Sequence, residues 1–329
     1  MILTLTPNPS IDFTLVLTEA LRPGAVQRAA QVSNVAGGKG INVSQACVKA
    51  NVNTLALFPC SPTDPFMHFI KLQGIPHRAV TIPDTVRTNT TVTSPTGETT
   101  KLNGPGPQLT AETLAQLQHV LLDAAPTADA VVLAGSLPQG TPTDWYVSLI
   151  RAMRSVVPHV PIAIDTSDSP LRAIYEGLEL GVAPDIVKPN GVELGQMLNI
   201  DGEALEDSAA NGDFAPIVAA ARILVSKGIP EVLVSLGAAG AVLVTADTAL
   251  HATPPPITCV STVGAGDSTL ASFVLSRHVH RLPLGDSLRN AVAYGAAAAS
   301  LPGTAIPSPD QVNPQASTLQ ELNAKEPLS

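Results

Sequence analysis

Short apolar runs alternate with helical patterns along most of this chain. Residues 2–5, 54–58, 130–134, 162–165, 186–188 and 231–235 are brief apolar stretches that read as buried strands. Residues 41–49, 111–122, 144–156, 217–227 and 287–300 carry apolar side chains at helical spacing, and Gly228 offers a natural C-terminal stop for the fourth. Strand and helix in alternation predict a mostly parallel sheet with helices on both faces. Ligands of such sheets gather at the carboxyl ends of the strands.

Two regions break the rhythm. Residues 11–32 hold the stretches IDFTLVL and VQRAAQV around Arg22-Pro23-Gly24. Residues 87–103 read RTNTTVTSPTGETTKLN, with Thr- and Val-rich flanks and a centre, Ser94-Pro95-Thr96-Gly97, that suits a type I turn. Together they predict a small antiparallel sheet, discontinuous in sequence. It is either a flap that closes over a ligand and excludes water or a pair of ordinary surface hairpins. The expected division is an α/β core of residues 1–10, 34–86 and 104–329, with a β lid of residues 11–33 and 87–103. Residues 201–213 read as a solvated acidic loop, Pro254-Pro255-Pro256 as a rigid connector, and the Pro-, Gln- and Ser-rich tail after Gly303 as peripheral.

Composition narrows the function. With 45% hydrophobic and 14% charged residues among 329, the chain fills a large core and is not globally disordered. No uninterrupted apolar run spans a bilayer, and the N-terminus lacks a basic segment followed by a cleavage pattern, so the expected location is cytoplasmic. Cys47, Cys60 and Cys259 fit neither a zinc pattern nor a disulfide framework and read as small core residues. The seven histidines form no i, i+4 metal pair; His278 and His280 read as solvated imidazoles at a helix end. A net charge of −9 argues against general nucleic-acid binding. An acidic protein that binds anions must concentrate its few cations locally, and several fall in Gly- or turn-rich stretches.

The stretch 261–276, STVGAGDSTLASFVLS, is the strongest of these. Gly264, Ala265, Gly266 and Asp267 precede Leu270, Phe273 and Val274 at helical spacing, so a small-residue turn opens directly into a helix. Its first N–H groups lack internal partners and sit at the positive end of the dipole, and the glycines clear the approach for an anion. Asp267 is then either a helix cap or a base that takes the proton of a hydroxyl attacking a phosphoryl group. Residues 36–44, AGGKGINVS, are not a P-loop, because Gly40 stands where Ser or Thr is required. They are a glycine loop entering a helix with Lys39 and Asn42, suited to a hydroxylated anion or simply a tight turn with a solvated lysine. In residues 187–194, VKPNGVEL, Asn190 and Glu193 stand at capping-box spacing, and Glu193 is a candidate for Mg²⁺ held through water. Residues 234–244, VSLGAAGAVLV, predict a hairpin whose loop lies at a strand's carboxyl end, and Gly135-Ser136-Leu137-Pro138 faces the same cleft. No G-x-G-x-x-G follows a strand, so a dinucleotide site is unsupported.

In order along the chain, TPNPSID at 6–12, GGKGIN at 37–42, GSLP at 135–138, KPNGVE at 188–193, SLGAAG at 235–240 and VGAGD at 263–267 resemble the ribokinase/PfkB carbohydrate-kinase family. TPNPSID, Lys39 and TTKLNGPGP resemble its 1-phosphofructokinase (tagatose-6-phosphate kinase) branch, whose 6-phosphofructokinase members usually carry glycine in place of Lys39. The resemblance implies a ribokinase-like Rossmann-type sheet with a small β lid, and ATP-dependent phosphorylation of a ketohexose phosphate. It makes Asp267 the base and Gly264, Ala265 and Gly266 the anion hole. Asp12, Gly38, Lys39 and Asn42 would hold the sugar, Arg28 and Arg87 its existing phosphate, with Ser136 and Asn103 as further substrate candidates. Lys188, Asn190 and Glu193 would serve ATP and Mg²⁺, and Ser235, Gly237 and Gly240 would line the nucleotide pocket. Ser261, Val263 and Gly303 would offer oxygens to K⁺, and lids would pair in a homodimer. Fructose 1-phosphate is the leading acceptor; tagatose 6-phosphate and fructose 6-phosphate are the near alternatives, and a non-catalytic sugar-phosphate sensor is the distant one. Two arginines in the lid region argue against an unphosphorylated nucleoside or vitamin.

Overall fold

The structure is a computed structural model that describes residues 1–95 and 98–322. Its strands are β1 (Ile2–Leu5), β2 (Ser10–Leu17), β3 (Ala29–Gly37), β4 (Thr54–Cys60), β5 (His77–Thr81), β6 (Arg87–Thr93), β7 (Thr99–Asn103), β8 (Ala130–Ala134), β9 (Ile162–Asp165), β10 (Ile186–Val187), β11 (Glu231–Ser235), β12 (Ala241–Val244), β13 (Ala249–Thr253) and β14 (Thr318–Leu322). Its α-helices are α1 (Lys39–Lys49), α2 (Phe66–Leu72), α3 (Ala111–Ala124), α4 (Trp145–Val156), α5 (Asp168–Leu178), α6 (Gly191–Leu198), α7 (Gly202–Ala210), α8 (Ala215–Ser226), α9 (Ala265–Val274) and α10 (Leu284–Ala299).

Ten strands form one sheet in the order β14-β13-β12-β11-β10-β9-β8-β1-β4-β5. From β11 to β5 every neighbour is parallel, while β11 through β14 descend as an antiparallel meander. Strand alternation sorts the core to two faces. Leu3, Leu5, Val131 and Leu133 pack with residues of α3 to α8, whereas Ile2, Ala130 and Val132 pack with residues of α1, α9 and α10. Both faces are covered, which is why the central strands read as continuous apolar runs. Each buried Val, Leu or Ile side chain contributes roughly 1.5–3 kcal/mol to this layering.

The second sheet has the order β3-β2-β6-β7. It is not purely antiparallel as the sequence led us to expect: β2 and β6 run parallel from Ser10↔Arg87 to Val16↔Thr93. Between them the chain passes through β4, α2 and β5 of the large sheet and re-enters in its original direction, which forces parallel pairing. The predicted turn at 94–97 includes Thr96 and Gly97, which lie outside the described residues.

Other expectations are corrected. Residues 201–213 are no loop: α7 occupies most of them, started by the Asp201 carboxylate accepting from Ala204 N (3.0 Å) and anchored by buried Leu205 and Ala209. The tail is not peripheral, because Ile306 is fully buried and β14 closes the sheet edge against β13. Cys47 and Cys60 are core residues, but Cys259 is exposed. His278 is half-buried, and burial, with Arg277 adding, pushes its imidazole down to about 4; His280 alone is the exposed one.

Candidate active site

The carboxyl ends of the parallel strands converge on one edge, where the Gly135 N–H donates to Asp165 O (2.9 Å) and the Lys188 N–H to Ile164 O (3.2 Å). The first turns of α1 and α9 meet this edge through Lys39, Asn42 and Asp267, and Lys188, two residues before the Asn190 cap of α6, joins them.

At α9 the N-cap is Gly264, at φ 79°, a conformation that glycine adopts without strain, and no side chain caps the helix. The Ala265 N–H turns back weakly to Thr262 O (3.4 Å), and the first helical bond is Ser268 N to Gly264 O (2.9 Å). The N–H groups of Gly266 and Asp267 have no partner among the described residues. Asp267 stands in this first turn, only 9% exposed, and accepts a hydrogen bond from Asn42 Nδ2 of α1 at 2.7 Å. Burial raises its carboxyl above the usual aspartate range; Lys39 pulls it down, Asp165 adds to the rise, and Asn42 and Lys188 oppose it. The net rise makes it a stronger proton acceptor.

Beside it lies a residue that our reading of the sequence did not single out. Asp165 ends β9 and is fully buried, with Lys39 Nζ donating to its Oδ1 at 2.6 Å and Lys188 Nζ 3.4 Å from its Oδ2. Burial works against its charge, yet the two ammonium groups hold its carboxyl below the ordinary range. Burial likewise opposes the Lys39 charge, and Asp165, Asp267 and Glu193 together raise it above the ordinary lysine value. Lys188 is only 4% exposed, and its Nζ lies 3.4 Å from where a side chain on Gly266 would begin, so this ammonium borders the open mouth of α9. The signal in the sequence was an acid closing an apolar strand at its carboxyl end.

The small sheet supplies the opposite wall. Asp12 of β2 accepts from Ser10 Oγ (2.8 Å) and Asn89 Nδ2 (3.3 Å). Burial raises its carboxyl, the Ser10 and Asn89 hydrogen bonds and Arg87 oppose the rise, and Asp267 adds to it. Gly37 is required by this packing, since a Cβ there would fall 2.1 Å from Asp12 Oδ2. Gly38, at φ 113°, opens α1 beside Thr6. Burial lowers the Arg87 guanidinium while Asp12 opposes the shift. Among the described residues Arg87 Nε, Asn89 Oδ1, Asn8 Oδ1 and Thr6 Oγ1 are buried without hydrogen-bond partners. Ser136 Oγ accepts from Asn8 Nδ2 (3.2 Å), and Asn103 pairs with Asn89 across β6 and β7. Arg28 is not brought to this cluster. It is exposed just before β3, whose other end, Gly37, pairs with Ser10, which separates Arg28 from that end by roughly 30 Å of extended chain.

At α6 the Asn190 side chain accepts from Glu193 N (2.7 Å) and the Glu193 Oε2 accepts from Asn190 N (2.9 Å), a complete capping box. The Gly191 N–H donates to Glu206 Oε1 of α7 (3.1 Å). Ser235 is tied to Pro189 O through its N–H (3.0 Å) and hydroxyl (3.5 Å). Gly237 starts a single 3₁₀ turn that ends at Gly240, where φ is 95° and a Cβ would lie 2.0 Å from Ala252 O. A cleft of about 420 Å³ opens between Leu236, Ala238 and Ala239 and the Glu206, Asp207 and Ala210 face of α7.

Among the described residues no three His, Cys, Asp or Glu side chains cluster as a metal cage. Glu193 keeps one carboxylate oxygen outside its cap, which fits Mg²⁺ arriving with phosphates and water. Ser261, Val263 and Gly303 do meet: the Ser261 hydroxyl donates to Gly303 O (2.9 Å) and accepts from Val263 N (3.3 Å).

Residues 8–311 match the family model described as pfkB family carbohydrate kinase. The chain is 38% identical over 278 residues to a 1-phosphofructokinase of Xanthomonas campestris, covering 82% of each. It is 34% identical over 322 residues to that of Haloferax volcanii, covering 95% of each. Among solved structures, the phosphofructokinase-2 from Escherichia coli in complex with potassium superimposes with a TM-score of 0.82 at 30% identity, covering 94% of this chain and 96% of that one. An uncapped helix mouth with a buried carboxylate and two ammonium groups thus sits in a chain that belongs, over nearly its whole length, to the pfkB family of carbohydrate kinases.

Proposed function

We propose that this protein transfers the γ-phosphoryl group of ATP to the 6-hydroxyl of fructose 1-phosphate, giving fructose 1,6-bisphosphate and ADP. The observation that carries this reading is Asp267, buried beside the uncapped mouth of α9 with Lys39 and Lys188 nearby. Asp267 takes the proton of the acceptor hydroxyl as its oxygen bonds to the γ-phosphorus; the bond to the β-phosphate oxygen breaks and its electron pair leaves with ADP. The open N–H groups of Gly266 and Asp267, with Gly264 and Ala265 shaping the turn, stabilise the charge on the transferring group. Asn42 orients Asp267, Asp12 and Ser136 hold sugar hydroxyls, and Arg87 holds the resident phosphate through a planar fork of donors. Lys188, Asn190 and the Ser235–Gly237–Gly240 turn serve ATP. Glu193 would hold Mg²⁺, which neutralises phosphate charge when bound, and oxygens of Ser261, Val263 and Gly303 would hold K⁺.

In this reading residues 11–33 and 87–103 are a lid on a core of 1–10, 34–86 and 104–329, and its closure limits hydrolysis of ATP by water. A homodimer through the lids would cover exposed Val32 and Leu102 and shield the open edges of β3 and β7. It is also an arrangement that can bring Arg28 to a sugar phosphate, since its own strand holds it away from Asp12. No helix among the described residues is long and apolar enough to cross a membrane, and we place the reaction in the cytoplasm. Lys39, where 6-phosphofructokinases of the branch usually have glycine, favours fructose 1-phosphate.

The test measures ADP release with Mg-ATP and fructose 1-phosphate, fructose 6-phosphate or tagatose 6-phosphate. We expect kcat/KM for fructose 1-phosphate to exceed the others by about tenfold or more, worth about 1.4 kcal/mol of discrimination. A preference for another sugar reassigns the acceptor, and no release with any of them overturns the kinase.

A further inference from the structure

Three strongly charged groups meet behind the anion site: Lys39 opens α1, Lys188 follows β10 and Asp165 ends β9. Two ammonium groups this close repel one another in a site shielded from water. Asp165 stands between them, and its charge also reaches Asp267, whose carboxyl it helps to raise. Its Oδ1 accepts from Lys39, and its Oδ2, which has no hydrogen-bond partner among the described residues, lies 3.4 Å from the Lys188 ammonium. The nearby Tyr146 phenol, held above its ordinary pKa by burial and then by Asp165, is turned away and donates to Gly135 O (2.9 Å). At the mouth of α9 it is Lys188 that borders Gly266, with no atom of Asp165 within 4 Å of where a side chain there would begin.

We propose that Asp165 is a positioning residue that spaces the Lys39 and Lys188 ammonium groups around the mouth of α9, so that both meet the transferring phosphoryl group without repelling each other out of place. This rests on the kinase reading above. A buried carboxylate with full exposure to neither solvent nor ligand is costly unless paired, and here both pairing groups belong to the site. Its loss therefore acts through the lysines. A misplacement of about 1 Å in a positioned group costs on the order of 10²-fold in rate.

A double-mutant cycle tests this on the full-length protein, with kcat and KM for both substrates and the thermal midpoint as readouts. Asp165→Asn keeps the shape and the Lys39 acceptor while removing the charge. We expect it to lower kcat about 10²-fold, with a smaller change in KM for the sugar phosphate. In a Lys188→Met background, where one ammonium is gone, the same change should cost at least about tenfold less. Losses that multiply to within about threefold would show that Asp165 acts independently of Lys188, and would overturn the proposal. If Asp165→Asn alone does not fold, the paired change removes one buried charge of each sign; recovery of folded protein then carries the same coupling, and failure of the pair to fold overturns it. Wild-type turnover separates the two readings: none counts against the kinase, whereas turnover with multiplying losses counts against Asp165 alone.

Discussion

Two helices begin at the same edge of the large sheet and are finished in opposite ways. α9 opens at Gly264 with no side-chain cap, leaving the Gly266 and Asp267 N–H groups without a partner among the described residues. α6 opens at Asn190 with both members of a capping box engaged, and Glu206 takes the Gly191 N–H as well. Left uncapped, a helix end is a standing electropositive site, at the expense of local stability. With the Asn190, Gly191 and Glu193 N–H groups taken up by Glu193, Glu206 and Asn190, α6 offers little to an anion and presents negative charge instead. In the proposed reaction the difference would divide the labour of phosphoryl transfer, with α9 meeting the anion in flight and α6 the cation that travels with ATP. Asp267 is the exception on the open side, and its cost is the measure of its use.

The largest expected effect comes from removing that exception. Asp267→Asn should lower kcat by about 10³-fold while ATP still binds. It should also raise the thermal midpoint at neutral pH by a few degrees. The sign follows from the raised carboxyl: the folded state holds this proton more tightly than the unfolded chain, so stability present below the ordinary aspartate pKa is lost as pH rises through the folded value. At pH 7, well above the ordinary aspartate value, holding this raised carboxyl is a net cost, which asparagine lacks, and the stability gain should fade as the medium is acidified toward that ordinary value. In the wild type the acid limb of kcat/KM should lie above the usual aspartate range. A variant with near-normal kcat, or one that is less stable, breaks the assignment.

The second test separates charge from cap on the closed side. Glu193→Gln retains an oxygen that can accept from Asn190 N, so the capping box survives. The thermal midpoint should stay unchanged within about a degree, while kcat/KM for Mg-ATP falls about 10–100-fold and the Mg²⁺ concentration for half-maximal rate rises. An unchanged Mg²⁺ requirement would leave Glu193 as a cap only.

The contrast between these two helix ends was only half visible beforehand. Turn chemistry is local, so VGAGD and Asn190-x-x-Glu193 announced themselves, and the central strands were legible because burial on both faces makes them continuously apolar. What the chain hides is pairing at long range. Asn42 meets Asp267 from 225 residues away, and nothing local in either stretch says so. Asp165 closed an apolar run and looked like its end, when the fold had placed it between two lysines. β14, with mostly exposed residues on an edge, lacks the apolar run that betrays the inner strands. The parallel β2–β6 pair follows from a detour through the large sheet, which two Thr- and Val-rich segments cannot record. Resemblance to a family supplied the roles; the residues alone left Asp267 as a cap or a base.

The smallest expected effect completes the comparison from the other direction. Asn190→Ala removes the cap of α6 and leaves the Glu193 charge in place. The Glu193 N–H loses its acceptor, which should cost about 1 kcal/mol and lower the thermal midpoint by about 2 °C. Glu193 can still accept from residue 190, so the carboxylate remains near its site and kcat/KM for Mg-ATP should fall by no more than about threefold. Glu193→Gln and Asn190→Ala are therefore mirror images: one changes the cation requirement at constant stability, the other changes stability at nearly constant turnover. If both variants lose stability and Mg²⁺ affinity together, cap and cation site are one device, and the closed helix end serves ATP through its rigidity more than through its charge.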